Sequence, residues 1–262
     1  MLRVGVVGAA GRMGSQVCLA VEADPDLDLV AAVDAAGAGA APAAGRLAIS
    51  PERAALRGAG AEVVVDFSHI GAAMDTLEAC AEAGINVVMG TSGFGPDRVA
   101  RARELFPGGP GRPNCIIVPN FALSAVLAVR FAELAAPWFD TAEVIELHHN
   151  AKVDAPSGTA ISTAERMGRA RGDAPWAADP TTDEVLAGAR GAVHPSGVRI
   201  HSVRMNGMVA HEEIILGTTG QTLTIRQDSY DRQSYMPGVL MAIRAIPGLE
   251  GVTVGLERVL GI

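Results

Sequence analysis

Lysine is almost missing from this chain. Of 21 basic residues only Lys152 is a lysine, and the other 20 are arginines. Positive charge is scarce as well: 29 acids against those 21 bases leave a formal charge of −8 and a pI of about 5.2. A nucleic-acid footprint needs a pI above roughly 9 and clustered Lys and Arg, so no nucleic-acid partner is expected. Long apolar runs are lacking too. The most apolar stretch, Phe121 to Val129, is stopped by Arg130 and Glu133, well short of the roughly 18 uncharged residues of a membrane span, so no membrane partner is expected either. Cysteine occurs only as Cys18, Cys80 and Cys115, an odd number without metal-like spacing. That pattern reads as buried thiols in a reducing compartment. The start, Met-Leu-Arg-Val-Gly-Val-Val-Gly, has no charged region leading into a long apolar core and cleavage site, so a cytoplasmic location is expected.

What is present is core material. With 49% hydrophobic and 19% charged residues over 262 positions, the chain can fill one large domain or two small ones. Short apolar runs at Val4–Val7, Leu27–Val33, Ala61–Asp66, Ile85–Met89 and Cys115–Val118 read as buried strands. Helical sequence lies between them at Arg12–Ala23, Ile70–Ala83 and Asp97–Leu105, the alternation of parallel βαβ units. Residues 1 to about 120 therefore read as a Rossmann-like, doubly wound α/β domain. The rhythm then changes. A helix is expected over Leu123–Ala136, a strand over Thr141–His149 and further helix after Pro156-Ser157-Gly158. A stretch rich in Gly, Pro and Asp, 171–197, precedes strands at Val198–Met205, Glu212–Leu216 and Thr222–Asp228. This implies an α+β domain with a mixed or antiparallel sheet. A last helix, Tyr235–Ile246, is expected to pack back on the first domain, and 35–45 reads as a loop.

Gly8-Ala9-Ala10-Gly11-Arg12-Met13-Gly14 joins the first strand to the first helix. The first glycine permits a tight turn, the second lets backbone approach a pyrophosphate, and the third allows close helix–strand packing. The helix start then offers N–H groups and a partial positive charge. Asp34 closes the second strand, 20 residues beyond Gly14, where a carboxylate can accept from ribose hydroxyls. Ala35 and Ala36 offer no cation for a 2′-phosphate and Asp34 would repel one, so NADH is preferred over NADPH on this reading. Arg12 or Arg46 folding over the site would blur that preference. Two further strand-end loops, Gly90-Thr91-Ser92-Gly93-Phe94 and Pro119-Asn120-Phe121, fit the same crevice.

The densest polar chemistry is Glu146-Leu147-His148-His149-Asn150-Ala151-Lys152-Val153-Asp154-Ala155-Pro156-Ser157-Gly158-Thr159-Ala160. If it stays extended, His148 and Lys152 share a face and His149 points away. Adjacent histidines that diverge make a poor zinc site, and no H-E-x-x-H helix exists, so no metal is expected. No G-x-S-x-G elbow occurs for a serine hydrolase. Pro156-Ser157-Gly158-Thr159 reads as a helix start capped by Ser157 or Thr159, whose backbone can bind a carboxylate. With Lys152 and the histidines it forms a cationic pocket suited to a small anion. An exposed histidine pair beside a plain helix cap is the bland alternative. The single lysine weighs against it, because an ammonium can give up a proton where a guanidinium cannot, with histidine beside it as the conventional acid/base.

Along its whole length the chain resembles one family, bacterial 4-hydroxy-tetrahydrodipicolinate reductase, also called dihydrodipicolinate reductase. The resemblance runs through Gly8–Gly14, Gly90–Phe94, Pro119-Asn120-Phe121 and, most specifically, the His-His-x-x-Lys-x-Asp-Ala-Pro-Ser-Gly-Thr string at 148–159. It continues in His201-Ser202-Val203-Arg204, Ala210-His211-Glu212, Thr224-Ile225-Arg226, Asp228–Arg232 and Met236-Pro237-Gly238-Val239. The resemblance implies hydride transfer from NADH or NADPH to a cyclic, unsaturated dicarboxylate with loss of water. It implies His148 as proton donor and acceptor and Lys152 as a second proton donor. His149 would contact substrate, and Ser157, Gly158 and Thr159 would form the segment that holds one of its carboxylates. The cofactor would touch Gly8, Ala9, Ala10, Gly11, Arg12, Met13, Asp34, Gly90, Thr91, Ser92, Val118, Pro119, Asn120 and Phe121. It further implies a dinucleotide-binding domain of 1–121 with about 234–262, and a domain of 122–233 for substrate binding and homotetramer formation. Closure of the two would exclude water. Ser124, Ser92 and a Pro/Gly insertion at Pro107–Pro113 depart from the family pattern.

Two rivals remain at this level. One is a reductase on the same framework acting on a different imine or amino acid; the other is a silent NAD-binding sensor, which would have no use for Lys152 beside two histidines. Aspartate-semialdehyde dehydrogenase fits less well because it needs a nucleophilic cysteine, and Cys115 falls in an expected buried strand. His69, His194 and His201 read as surface or packing residues.

Overall fold

A computed structural model describes residues 1–40 and 47–262. Residues 41–45 of the expected loop, and Arg46, lie outside the described residues. In chain order the first elements are β1 (Leu2–Val7), α1 (Arg12–Ala23), β2 (Leu27–Val33), α2 (Ala54–Gly58), β3 (Val63–Asp66), α3 (Ile70–Ala83), β4 (Asn86–Met89), α4 (Pro96–Leu105) and β5 (Cys115–Ile117). Next come α5 (Leu123–Ala135), β6 (Thr141–His148), α6 (Gly158–Arg171), β7 (Ala192–Val193), β8 (Arg199–Arg204), β9 (Ala210–Thr218) and β10 (Gln221–Ser229). The chain ends with α7 (Met236–Ala245), β11 (Val252–Val254) and α8 (Glu257–Leu260). It divides into two compact units, Met1–Phe121 with Tyr235–Ile262, and Ala122–Ser234. Among the described residues no helix is long and apolar enough to cross a membrane.

The first unit is a parallel sheet of order β2-β1-β3-β4-β5-β11. Its strands are buried on both faces, which is why Val63, Val64, Val65, Val87 and Val88 form unbroken apolar runs. The helices carry their own stop and start signals. The His69 ring accepts from Ala72 N–H to cap α3, and Gly84 ends that helix in the left-handed region at φ +72°. Pro96 occupies the first turn of α4. Three elements of this unit lie beyond the sequence expectations: the one-turn helices α2 and α8 and the sixth strand β11, which pairs with β5. The return of the C-terminal segment therefore adds a strand as well as the helix α7, which packs on α1.

The second unit is a mixed sheet of order β10-β9-β6-β8-β7, in which β6 and β8 run parallel and the other pairs antiparallel. Helices α5 and α6 cover one face. Ala142 and Val144 of β6, Ile200 of β8 and Ile214 and Leu216 of β9 meet Ala160, Ala164 and Met167 of α6 there. Directly opposed residues of neighbouring strands share a face, so the register fixes which residues continue that face. Past Val144 on β6 come Glu146 and His148, opposed by Ser202 and Arg204 on β8 and by Glu212 and Ala210 on β9. The helix-covered face thus changes from apolar to polar along each strand.

Candidate functional site

In the first unit every strand of the sheet is parallel to its neighbours, so the loops after the strands gather at one edge. Strand order reverses between β1 and β3, the position where open α/β sheets bind ligands. Gly8 has φ +79°, and an added Cβ would stand 2.7 Å from the Phe67 carbonyl oxygen. A Cβ on Gly14 would stand 2.0 Å from the Gly8 carbonyl oxygen. These two glycines are dictated by the turn itself. Gly11 differs: its Cβ would meet only that same oxygen, at 3.1 Å, and as N-cap of α1 it offers no side-chain cap. Gly11 N–H is taken by Gly8 O at 2.9 Å and Ala10 N–H by Asp34, so the exposed start of α1 from Arg12 onward is the part that can present donors to a phosphate. Asp34 follows β2 as expected. Its Oδ2 accepts from Ala10 N–H at 3.1 Å and its Oδ1 from Ala36 N–H at 2.9 Å. Glycine turn and carboxylate together fit a dinucleotide.

The loops after β3, β4 and β5 are tied to one another. Asp66 is fully buried, and its Oδ1 accepts from Ser68 N–H at 2.8 Å, Ser68 Oγ at 2.6 Å and Thr91 Oγ1 at 2.9 Å. A Cβ on Gly90 would press within 2.4 Å of the Phe67 ring and 2.9 Å of the Phe121 ring, and those rings lie 5.4 Å apart. Val118 is buried, its N–H donating to Met89 O at 2.9 Å, while Ser92 and Pro119 are exposed and Met13 and Asn120 half-buried. Ala9 is buried against the turn. Asp66, Phe67 and Ser68 escaped the sequence reading; an acid closing an otherwise all-valine strand was the available signal. The insertion Pro107–Pro113 precedes β5, so it lies at the opposite edge of the sheet from these loops.

In the second unit the histidine segment does not stay extended. β6 ends at His148, and Lys152 N–H donates to His149 O at 3.1 Å, closing a turn over Asn150-Ala151. The alternation that put His148 and Lys152 on one face fails for that reason, yet the turn still brings the Lys152 charge near enough to act on the His148 ring. His148 Nδ1 lies 2.5 Å from Glu146 Oε2. Glu146 is fully buried and receives both Arg204 Nη1 and Nη2, at 2.8 and 2.7 Å, and Ser157 N–H at 3.1 Å. Burial pushes the Glu146 carboxyl up, but hydrogen bonds from Arg204, Ser202 and His148 outweigh it and hold it below the usual range. Burial lowers the His148 ring, Glu146 opposes, and Lys152 and Arg204 help to leave it below its ordinary value. Lys152 Nζ donates to both oxygens of Asp154, at 2.7 and 2.6 Å. His149 is exposed.

Ser157 caps α6 as expected, its Oγ accepting from Ala160 N–H at 3.2 Å. Thr159 lies inside the first turn. Gly158 is exposed, and a Cβ there would meet nothing within 4 Å. The start of α6, the Lys152–Asp154 pair and the His148 ring are linked through Glu146 and Arg204, since Arg204 Nη2 also donates to Asp154 O at 2.7 Å. Neither Glu146 nor Arg204 was given a role from sequence, because they lie 58 residues apart. Glu212, opposite Glu146, is another buried acid; desolvation raises its carboxyl to about 7, against a hydrogen bond from Thr163 Oγ1 at 2.6 Å and with the Glu146 charge adding to the rise.

The remaining candidates have structural partners. The His69 ring caps α3, His194 pairs with Ser196, and His201 Nε2 lies 2.7 Å from Glu143. His211 pairs with Asp228 at 2.7 Å. All three cysteines are free and buried, and burial pushes the Cys115 thiol far up, which is wrong for a nucleophile. Ser124 Oγ donates to Gln227 Oε1 at 3.3 Å within the second unit. Among the described residues no group of three or more His, Cys, Asp or Glu is placed to hold a metal ion.

Comparison with known proteins gives the family. The family profile described as "Dihydrodipicolinate reductase, N-terminus" matches residues 2–121, and its C-terminal counterpart matches residues 124–260. The 4-hydroxy-tetrahydrodipicolinate reductase of Corynebacterium efficiens is 49% identical, over 100% of this chain and 99% of its own. That of Thermobifida fusca is also 49% identical, over 100% of both chains. Among solved structures, a dipicolinate-bound dihydrodipicolinate reductase from Paenisporosarcina sp. TG-14 superposes with a TM-score of 0.88 at 34% identity, covering 98% of this chain and 99% of its own. The chain belongs to the dihydrodipicolinate reductase family.

Proposed function

We propose that this chain reduces 4-hydroxy-tetrahydrodipicolinate to tetrahydrodipicolinate, with release of water, at the expense of NADH or NADPH in lysine and diaminopimelate biosynthesis. The observation that carries the reading is the cluster in the second unit. A histidine is held on a buried carboxylate, the chain's single lysine lies near it, and both sit beside a helix start on a protein whose net charge is −8. Such a cluster suits a small dicarboxylate.

The residues of the first unit divide the cofactor among them. Gly8, Ala9, Ala10, Gly11, Arg12 and Met13 would hold the pyrophosphate, and Asp34 the adenine ribose. Gly90, Thr91, Ser92, Val118, Pro119, Asn120 and Phe121 would line the nicotinamide end. Bound NAD(P)H supplies a hydride. A hydride added to one ring carbon requires a proton at its conjugated neighbour, and His148 and Lys152 supply and relay that proton. Lys152, His149 and the backbone of Ser157-Gly158-Thr159 set positive charge and donors against the two carboxylates. Asp154 holds Lys152 until a substrate carboxylate takes its place. Asp34 with Ala35 and Ala36 favours NADH.

Half-exposed Glu143, Ile145 and Leu147 on the sheet face opposite α5 and α6 support homotetramer assembly through that face, which light scattering would read as four times the chain mass. Free thiols go with the cytoplasm. Binding of dipicolinate tests the site assignment directly. Calorimetry should find saturable binding to the wild type, weakened at least about tenfold in Lys152→Ala; equal binding by both would refute it.

A further inference from the structure

The Glu146 carboxylate lies between two groups that the proposed chemistry needs to hold together. Its Oε2 meets His148 Nδ1 at 2.5 Å, and its Oε1 accepts the Ser157 N–H at 3.1 Å, the residue that caps α6. Arg204 clamps both oxygens from β8. An ionised carboxylate can only accept hydrogen bonds, and Glu146 is held ionised by these donors. The bond at Nδ1 therefore fixes the proton on that nitrogen and leaves Nε2 as the unprotonated nitrogen of the neutral ring.

We propose that Glu146 is a positioning residue for the reductase reaction, locking His148 in its Nδ1–H tautomer and keeping that ring in register with the substrate-binding start of α6. This inference rests on the assignment of His148 as the acid/base group. Charged and titratable groups around the ring come from every neighbouring element: Glu146 on its own strand, Lys152 and Asp154 on the following loop, Arg204 on β8, and Glu212 on β9 acting on Glu146. Arg204 has a distinct part. By neutralising Glu146 it keeps a carboxylate beside the ring from holding the imidazole permanently protonated. A plain buried ion pair between Glu146 and Arg204 would need no histidine at 2.5 Å.

The tautomer can be read without turnover. Nitrogen NMR of the full chain carrying 15N-labelled histidine, with His148 assigned by its loss in His148→Gln, should show a neutral ring protonated at Nδ1 and bare at Nε2. Finding Nε2–H in the wild type overturns the proposal, and that measurement needs no folded Glu146 variant. In Glu146→Gln the carboxamide can donate to Nδ1, so the Nδ1–H population should fall. With it kcat should drop about 10- to 100-fold, while the NADH Kd stays within about twofold. Glu146→Asp should recover part of both signals. A Glu146→Gln protein with unchanged tautomer and unchanged kcat refutes the positioning role. Full activity in His148→Ala would instead refute the underlying assignment of the acid/base group, a different failure with its own signature.

Discussion

Asp34 is fastened to the glycine turn: its Oδ2 accepts the Ala10 N–H at 3.1 Å, across 24 residues of chain. The carboxylate at the end of β2 is thereby held beside the backbone that would carry a pyrophosphate. A 2′-phosphate placed there meets the Asp34 carboxylate, and the residues that follow it, Ala35 and Ala36, carry no cation. NADH should therefore exceed NADPH in kcat/KM by at least about tenfold, which is about 1.4 kcal/mol. Asp34→Asn should narrow the ratio. Equal efficiencies in the wild type would contradict this reading of the turn.

Two glycines of that turn, Gly14 and Gly11, should respond differently to a methyl group. Gly14→Ala sets a Cβ 2.0 Å from a backbone oxygen that cannot move aside, and should destabilise the chain by about 2 kcal/mol or more. Gly11→Ala meets one oxygen at 3.1 Å. It should keep a near-normal thermal midpoint and yet bind NADH at least about tenfold more weakly. Thermal unfolding and a fluorescence titration, run on both variants, separate the two effects.

His148→Ala and Lys152→Ala should each lower kcat by about 10²- to 10⁴-fold, the span of general acid–base catalysis. NADH affinity should stay near that of the wild type, since the proposed cofactor residues belong to the other unit. Normal turnover in both variants would remove the proposed proton donors.

Glu212 gives stability a pH dependence of unusual sign. Burial raises its folded value from 4.5 to about 7. Its contribution is fully present below the unfolded value and is lost as pH rises through the folded one, at about 1.4 kcal/mol per pH unit while only the unfolded chain has ionised. Between pH 5 and 7.5 the wild type should therefore lose stability relative to Glu212→Gln, measured as the difference between their thermal midpoints. Parallel curves over that range would contradict a protonated Glu212.

Most of this fold was legible because burial on two faces writes itself as short, unbroken apolar runs. β2, α1 and α3 occupy the residues their patterns announce. β11 was not legible: three residues between Gly251 and Gly255 carry too little pattern, and only pairing with β5 makes them a strand. The polar string at 148–159 was legible as chemistry but not as shape. Asn150-Ala151 turns the chain, as the hydrogen bond from Lys152 N–H to His149 O shows, so the extended course on which the shared face of His148 and Lys152 depended is not taken. Ser157 could be read as a cap because caps are local. Glu146 could not be read as the partner of His148 and Arg204, because its meaning depends on the β6–β8 pairing of distant segments. Asp66 was hidden for a similar reason, its partner Thr91 lying on the loop after another strand.

The most direct measurement tracks NADH absorbance while the purified chain is given freshly made 4-hydroxy-tetrahydrodipicolinate, the product of the preceding synthase. The account predicts loss of NADH in proportion to the substrate supplied, with loss of that activity in His148→Ala. Absence of NADH oxidation by a folded, cofactor-binding protein would contradict the assigned reaction and return the chain to a reductase of another imine or a silent NAD-binding sensor.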